Sequence, residues 1–524
     1  MRFPSFQVRI LPVWCVHTLY SKLLFLSHSS GSLGYKDSIR HFLASSSEVS
    51  QIAVQPGSVK DLSQIMRVLS RHPTVRFAVK GGGHGMAPGL SSTTEIHISM
   101  THFSKIYYNA QTELVEIGSG CLWEQVYTKL APTGRNIVGG ASADGVGVGG
   151  WLLGGGYSLK SNRHGLGIDN VVEIEIVTPD GCLRTVNRDN NQADLFHALR
   201  GGGNNFGIVT KFVLKTFAQN TAYGSYFVIS GGRQEEFKNA LVDFVDTEER
   251  QEACVVAAFR HELVKGKVDY TISIYCVFDA EKPKKKRNIP FQGLARLQES
   301  GESWKADPAG WQLGRTSLSI SDGSLKHESG CANKHASRLG TPQLQKNGSP
   351  QQHRDGRFAC LMISRYTKPL LDKMAEEAEK AASHLKTHRG LSVIIDAWPV
   401  HPGIFDNSPP GAAFPHKRGE PSGPMLAYFR WERDVDDEFW LTELKDTLDR
   451  IRVVARDLGL TPRKPAYYNN LSLETVPAHK IYRDNMGWLK RVKKDYDPTD
   501  VMGRCGGHKI PLPHAKDGSD DDSD

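Results

Sequence analysis

Apolar residues recur at helical spacing from Ser58 to His72, with Val59, Leu62, Ile65, Met66 and Leu69 on one face. Ser58 stands as N-cap and Asp61 at the capping-box position, so a helix is predicted there. The pattern then changes period. "RFAVK" (76–80) and "LVEIG" (114–118) read as short strands, and "VVEIEIVTPDG" (171–181) alternates from Val172. Pro179-Asp180-Gly181 turns the chain into a further strand, "LRTVN" (183–187), and "ADLFHALRG" (193–201) reads as a short helix ending at a glycine. Helical spacing returns over 368–388 through Leu370, Leu371, Met374, Ala378, Ala381 and Leu385, over 437–460 through Leu441, Leu444, Leu448, Ile451 and Val454, and over 478–498. The pattern is α+β. From 282 to 356 neither period is present and the chain is rich in Gly, Ser, Lys and Gln, so a disordered insertion or translated intron sequence is expected.

Glycine changes this picture most. Of 51 glycines, 24 lie between Gly81 and Gly207, in the clumps "VKGGGHG" (79–85), "VGGASADGVGVGGWLLGGGYS" (138–158) and "RGGGNNFGIVT" (200–210). Backbone without side chains is needed where a ligand passes close or where φ is positive. A turn needs one glycine rather than three in succession, so the clumps point to one long ligand threaded past several loops. Gly145–Gly150 also matches G-x-G-x-x-G, with Asp169 20 residues after Gly149. That motif has meaning only between a strand and a helix, and here Gly154-Gly155-Gly156 would break the helix, so a Rossmann site is set aside.

Charge excludes little but argues against a dedicated nucleic-acid binder. The formal net charge is +8 over 524 residues, and part of it is the single run Lys282–Arg287, whose other reading is a nuclear-localisation signal. No apolar run reaches the length of a membrane span. The first 30 residues are half like a signal peptide, broken by Arg9, His17 and Lys22, and the compartment stays open with cytoplasmic ahead of secreted. The eight cysteines are scattered, without a CxxC pair, and read as buried thiols. Cys505 and His508 form a lone C-x-x-H, so no metal site is expected, and no G-x-S-x-G element supports a serine hydrolase.

The three clumps in this order resemble the FAD-linked oxidases of the p-cresol methylhydroxylase/vanillyl-alcohol oxidase superfamily, in particular the fungal berberine bridge enzyme-like and 6-hydroxy-D-nicotine oxidase-like group. The resemblance covers residues 50–217 and a closing segment over 466–510, with a weaker match over 357–463. It implies a two-subdomain FAD-binding domain (46–217), a substrate domain (218–463) built on an antiparallel sheet with helices on one face, a C-terminal segment (464–512) returning to the first domain, a poorly defined segment 1–45 and an acidic tail (513–524). Lys80, Gly81, Gly82, Gly83, His84 and Gly85 would form the pyrophosphate loop, whose consecutive amides can face phosphate oxygens. His84 would carry the flavin covalently. Some members add a cysteine tether; that position is Ala143 here, with Ser142 and Asp144 beside it, so a single covalent link is expected.

Gly139, Gly140, Ala141, Ser142, Gly145 and Gly147 would follow the FAD diphosphate and ribityl chain. Gly202, Asn205, Gly207, Ile208 and Val209 would sit near one of its ends. Val146 falls at the position that admits oxygen. Tyr467 and Asn469 resemble a Y-x-N segment beside the flavin ring, and the family's second tyrosine is replaced by Asn470, whose place near a buried cofactor argues against glycosylation of that sequon; the other sequon is Asn347. "MLAYFRWE" (425–432) would be a strand facing the flavin. Tyr428 is the chosen base over Arg430 and Glu432, while His401, Asp406 and His416 are outside candidates. The implied activity is hydride removal from a C–H beside a hydroxyl or amine of a small-molecule substrate, O2 accepting the electrons to give hydrogen peroxide in secondary metabolism. The alternatives are a dehydrogenase or an inactive flavin-binding product of a damaged gene. No nucleic acid, membrane or obligate protein partner is expected.

Overall fold

The computed structural model describes residues 27–28, 32–140, 145–219, 222–280, 290–298, 301–306, 354–432, 436–462 and 467–513. Among them the chain forms three main sheets. In the first, strands Ile52–Val54 and Phe77–Lys80 both run parallel to Ile96–Ser99, with helix Val59–Arg71 as the connection between the first two. Ser58 caps that helix by accepting the amide of Asp61 at 3.3 Å. Leu62, Ile65, Met66 and Leu69 are buried against Phe77, Ile96 and Ile98. The apolar spacing of this helix is therefore the spacing of a core face.

The second sheet is antiparallel, in the order Ile106–Asn109, Leu114–Gly118, Ile208–Lys215, Val171–Val177, Leu183–Asn187. Helices Trp123–Leu130 and Ala193–Leu199 pack beside it, and the C-terminal segment returns to the same core through Ile481, Tyr482, Leu489, Val492 and Ile510. Lys493 and Asp497, both fully buried, pair at 3.1 Å, and Asp497 also accepts the amides of Val501 and Met502, closing the helix Met486–Tyr496.

The third sheet is antiparallel and seven-stranded, in the order Gly301–Ala306, Ala222–Ser230, Lys267–Phe278, Ala253–Val264, Gly390–Ala397, Gly423–Glu432, Arg354–Ile363. Val255, Phe259, Val393, Ile395, Met425, Phe429 and Trp431 share a core with Leu370, Leu371 and Met374 of helix Lys368–Ala382 and with Trp440, Leu444 and Ile451 of helix Asp437–Asp457. Side chains alternate across a strand, so the intervening positions belong to the opposite face.

Several expectations are corrected. The segment 282–356 is not structureless throughout: Gln292–Ala295 is a helical turn, Gly301–Ala306 is an edge strand on Ala222–Ser230, and Arg354–Ile363 starts inside it. An edge strand draws on main-chain hydrogen bonds, which need no period-2 pattern. The segment 1–45 contains the helix Leu33–Ile39, capped by Ser32, whose buried Tyr35 donates to the Ser50 carbonyl. The helix expected over 478–498 is two, Ala478–Tyr482 and Met486–Tyr496, divided where Arg483 takes a positive φ of 49°. The basic run 282–287, the rest of the signal-like N-terminus before residue 27, Asn347 and the acidic tail from residue 514 lie outside the described residues.

Candidate functional site

A cavity of about 1050 Å³ lies between the glycine-rich half and the seven-stranded sheet. One wall is backbone. Gly82 and Gly147 meet main chain to main chain: a Cβ on Gly82 would lie 2.5 Å from the Gly147 nitrogen and 2.6 Å from the Gly145 oxygen. Gly83 has φ of 73°, which only glycine adopts readily. Ser119, at the edge of the same loops, lines the cavity with a buried hydroxyl that has no partner among the described residues. Side-chain-free amides beside a free hydroxyl are the donor set for an anionic, elongated ligand such as a diphosphate.

His84 lies on this wall, its ring stacked on Phe42 with centroids 4.3 Å apart and 23° between planes. Burial holds its pKa down at about 4, so the imidazole is neutral at neutral pH and has a nitrogen lone pair to offer. Lys80 has another task. Its ammonium donates to the carbonyls of Asp37 (3.2 Å) and Arg40 (3.0 Å), which ties down the end of helix Leu33–Ile39. Burial, reinforced by Arg40, brings it down to about 8.

The opposite wall is made of side chains. In the register of the sheet, Ala258 faces Asp396 and Asp396 faces Leu426; Arg260 faces Ile394 and Ile394 faces Tyr428; Ser392 faces Arg430. Ala258, Arg260, Ile394, Asp396, Leu426, Tyr428 and Arg430 all line the cavity. Burial pushes the Asp396 carboxyl up to about 7, with Arg260 opposing. Tyr428 is buried and tilts on Phe358 at 4.7 Å.

The C-terminal segment supplies one side through Tyr468, Asn469 and Asn470. The Tyr468 hydroxyl accepts the amide of Gly156 at 3.0 Å, and burial raises its pKa to about 12. A seam holds the two halves together. Asp169 accepts from Arg200 at 3.1 Å, from His416 at 2.9 Å and from Ser408 at 2.6 Å, all inside the protein. This joins the segment 408–416 of the sheet half to the glycine-rich half. Asp169 is held low by His416 despite its burial, and His416 is held high by Asp169.

Of the residues the sequence singles out, Lys80, Gly81, Gly82, Gly83, His84, Gly85, Gly140, Gly145, Val146, Gly147, Gly207, Ile208, Val209, Tyr428 and Asn469 line the cavity. Others are placed elsewhere. Gly139 sits where a Cβ would strike the Tyr127 hydroxyl at 2.5 Å and the Trp123 ring at 2.7 Å, so it answers to packing. Gly202 lies against the Ala198 carbonyl, and the cavity takes Gly203 and Asn204 instead. Asn205 is a clamp: it donates to Gly202 and His508 carbonyls and accepts the Ile510 amide, fixing the C-terminal segment. Tyr467 does not line the cavity; its neighbour Tyr468 does, because successive side chains of an extended segment point to opposite sides. Glu432 is exposed, His401 and Asp406 are away from the cavity, and His416 belongs to the seam. Ala141, Ser142, Ala143 and Asp144 lie outside the described residues.

Asp396 was missed. Asp396 and Ala397 end the strand Gly390–Ala397. The available signal was "VIID", an apolar run with a carboxylate at an alternating position.

Residues 50–187 match the FAD binding domain family. Over 87% of its length, and 84% of the relative's, the chain is 28% identical to a FAD-dependent monooxygenase of Fusarium proliferatum. Its fold matches BBE-like 1 (berberine bridge enzyme-like) of Physcomitrella patens with a TM-score of 0.72 at 18% identity, covering 95% of this chain and 99% of that one. The 6-hydroxy-D-nicotine oxidase of Arthrobacter nicotinovorans superposes with a TM-score of 0.68 at 16% identity, covering 93% and 97%.

Proposed function

We propose that the chain is a FAD-linked oxidoreductase of the berberine bridge enzyme-like group and that it oxidises a C–H bond beside a hydroxyl or amine of a small secondary metabolite, with FAD tethered once, through His84, and dioxygen as electron acceptor; the match of residues 50–187 to the FAD binding domain family and the shared fold support this. The observation that carries this reading is the meeting of the two walls in one cavity. A backbone cradle with a neutral, buried histidine lines the same cavity as a carboxyl poised near neutrality.

The residues present fit FAD. Amides of Gly81, Gly82 and Gly83 with the free Ser119 hydroxyl would hold the diphosphate, and a His84 ring nitrogen would make the covalent bond. Bound FAD supplies the hydride acceptor and passes the electrons on. Asp396 does the proton work. Its carboxylate oxygen takes the proton of the substrate hydroxyl or amine as the neighbouring C–H bond breaks, and a pKa of about 7 suits a base at neutral pH. Tyr428 and Phe358 form an apolar platform that orients the substrate and keeps water from it, while the Tyr468 hydroxyl, engaged by the Gly156 amide, positions the loop beside the site. Val146, half-buried on the cradle wall, would leave dioxygen a path.

The test is direct. The purified protein is precipitated with acid, and the yellow colour is expected in the pellet; in His84→Ala it should pass to the supernatant. Turnover in air should release hydrogen peroxide. The relative matched along most of the chain bears the name of a monooxygenase, which supports a second reading. Monooxygenation needs an outside reductant to reduce the second oxygen atom to water. Anaerobic bleaching of the flavin by substrate alone is the expected result, and a requirement for NADPH would favour the rival.

A further inference from the structure

The sheet wall contains a cation that the oxidation chemistry does not use. Arg430 is only 7% exposed and lines the cavity. Its Nε is buried without a hydrogen-bond partner, and among the described residues no carboxylate pairs with its guanidinium. A buried cation left unpaired is costly, and a guanidinium matches a carboxylate by two parallel hydrogen bonds. Room is kept for it: Gly356 faces Arg430 in the register, and a Cβ there would come within 3.3 Å of the Arg430 Cγ. Arg260 adds a second positive charge to the same wall, one half of which is answered by Glu262 at 3.2 Å.

We propose that Arg430, supported by Arg260, is an anion subsite that binds a carboxylate carried by the substrate at the end remote from the oxidised carbon. This deepens the oxidoreductase reading above and rests on it. Dinucleotide phosphates are assigned above to the amides of the glycine wall, so a shift of the flavin in R430Q without loss of the acid preference would mark them as the competing occupant. The register also sets the substrate's length. Asp396 faces Leu426, and Leu426 and Arg430 are four residues apart on one strand, so the acid group and the reacting C–H are separated by on the order of 10 Å. Between them the wall is Leu426, Ile394, Tyr428 and Phe358. The substrate class is therefore an apolar or aromatic carboxylic acid whose oxidised carbon lies well away from its carboxylate.

The experiment uses the flavin-loaded protein and two probes of equal shape, 4-phenylbutyrate and its neutral amide. Binding is read by perturbation of the bound flavin's absorption and, independently, by calorimetry. The acid should bind about 10- to 100-fold more tightly than the amide, the range of one charge-assisted pair. Arg430→Gln should erase that preference and Arg430→Lys keep part of it. Should R430Q fail to fold, R430K and Arg260→Gln report on the same ratio, each with a smaller reduction expected. Equal binding of acid and amide by the wild-type protein would overturn the subsite. So would an R430Q protein that keeps the acid preference while its flavin potential shifts, since the arginine would then serve the flavin. A colourless wild-type preparation would instead sink the flavin reading itself, which separates the two failures.

Discussion

The two walls of the cavity are built on opposite principles. The cradle works by leaving side chains out: Gly82 and Gly147 lie so close that neither has space for a Cβ. The sheet works by putting side chains in, at alternate positions of strands that come from residues 253–264, 390–397 and 423–432. A cradle of this kind is local in sequence and holds whatever has the shape of its ligand. A side-chain wall is assembled across distant strands, and each position on it is open to exchange without disturbing the backbone. Under the proposed function, binding of the invariant cofactor and choice of the variable substrate would fall to separate walls.

The largest effect should come from breaking the cradle. Gly82→Ala places a methyl 2.5 Å from the Gly147 nitrogen, and the only relief is separation of two main-chain segments. The expected protein has lost its flavin, measured as the ratio of visible to ultraviolet absorbance. A yellow G82A at wild-type stoichiometry would show that the clumps are packing features. On the sheet wall, Asp396→Asn should keep colour and fold and lower kcat/KM by about 10²–10⁴-fold. The wild-type rate should rise with pH through about 7, because the carboxyl must be ionised to accept a proton, and D396N should lose that limb. Retention of the limb in the variant would remove Asp396 from the chemistry.

The seam between the walls comes next. Asp169→Asn leaves Arg200 and His416 buried without their anion, at a cost of about 3–5 kcal/mol in stability, read from denaturant midpoints. The pH dependence has a sign at each end. Asp169 is held below its unfolded value, so its contribution is present above that value and fades as pH falls through the depressed one. His416 is held above its unfolded value, so its contribution is full below about 6.5 and fades as pH rises through the raised one. His416→Gln should flatten the alkaline decline, and a decline that stays as steep would place its cause elsewhere.

The same division explains what could be read from sequence. Helix Val59–Arg71 with its Ser58 cap and the strands Leu114–Gly118 and Leu183–Asn187 follow from local periodicity and turn chemistry, and the structure has them at those positions. The glycine wall was legible for the same reason, since consecutive glycines are visible without knowing the fold. Where it misled, as at Gly139 and Gly202, the glycine yields to a neighbouring ring or carbonyl rather than to a ligand. The sheet wall was not legible, because whether Asp396 or His401 faces the cavity depends on the partner strand and its register. Tyr467 and Tyr468 are one step of the chain apart, and in an extended segment that step reverses the side, so Tyr468 rather than Tyr467 lines the cavity.

The smallest effect tests whether glycine as such matters. Gly487 lies in the helix Met486–Tyr496, far in sequence from the clumps, and a Cβ there would meet nothing within 4 Å. Alanine restricts the unfolded chain and suits a helix better, so Gly487→Ala should add about 0.5 kcal/mol, since early helical positions gain less than interior ones. Thermal melting of holoprotein checks it, with flavin content unchanged. A loss of stability or colour in G487A would mean that glycine here answers to a requirement outside the cradle, and the contrast between the two walls would then rest on position within the fold rather than on the absence of a side chain.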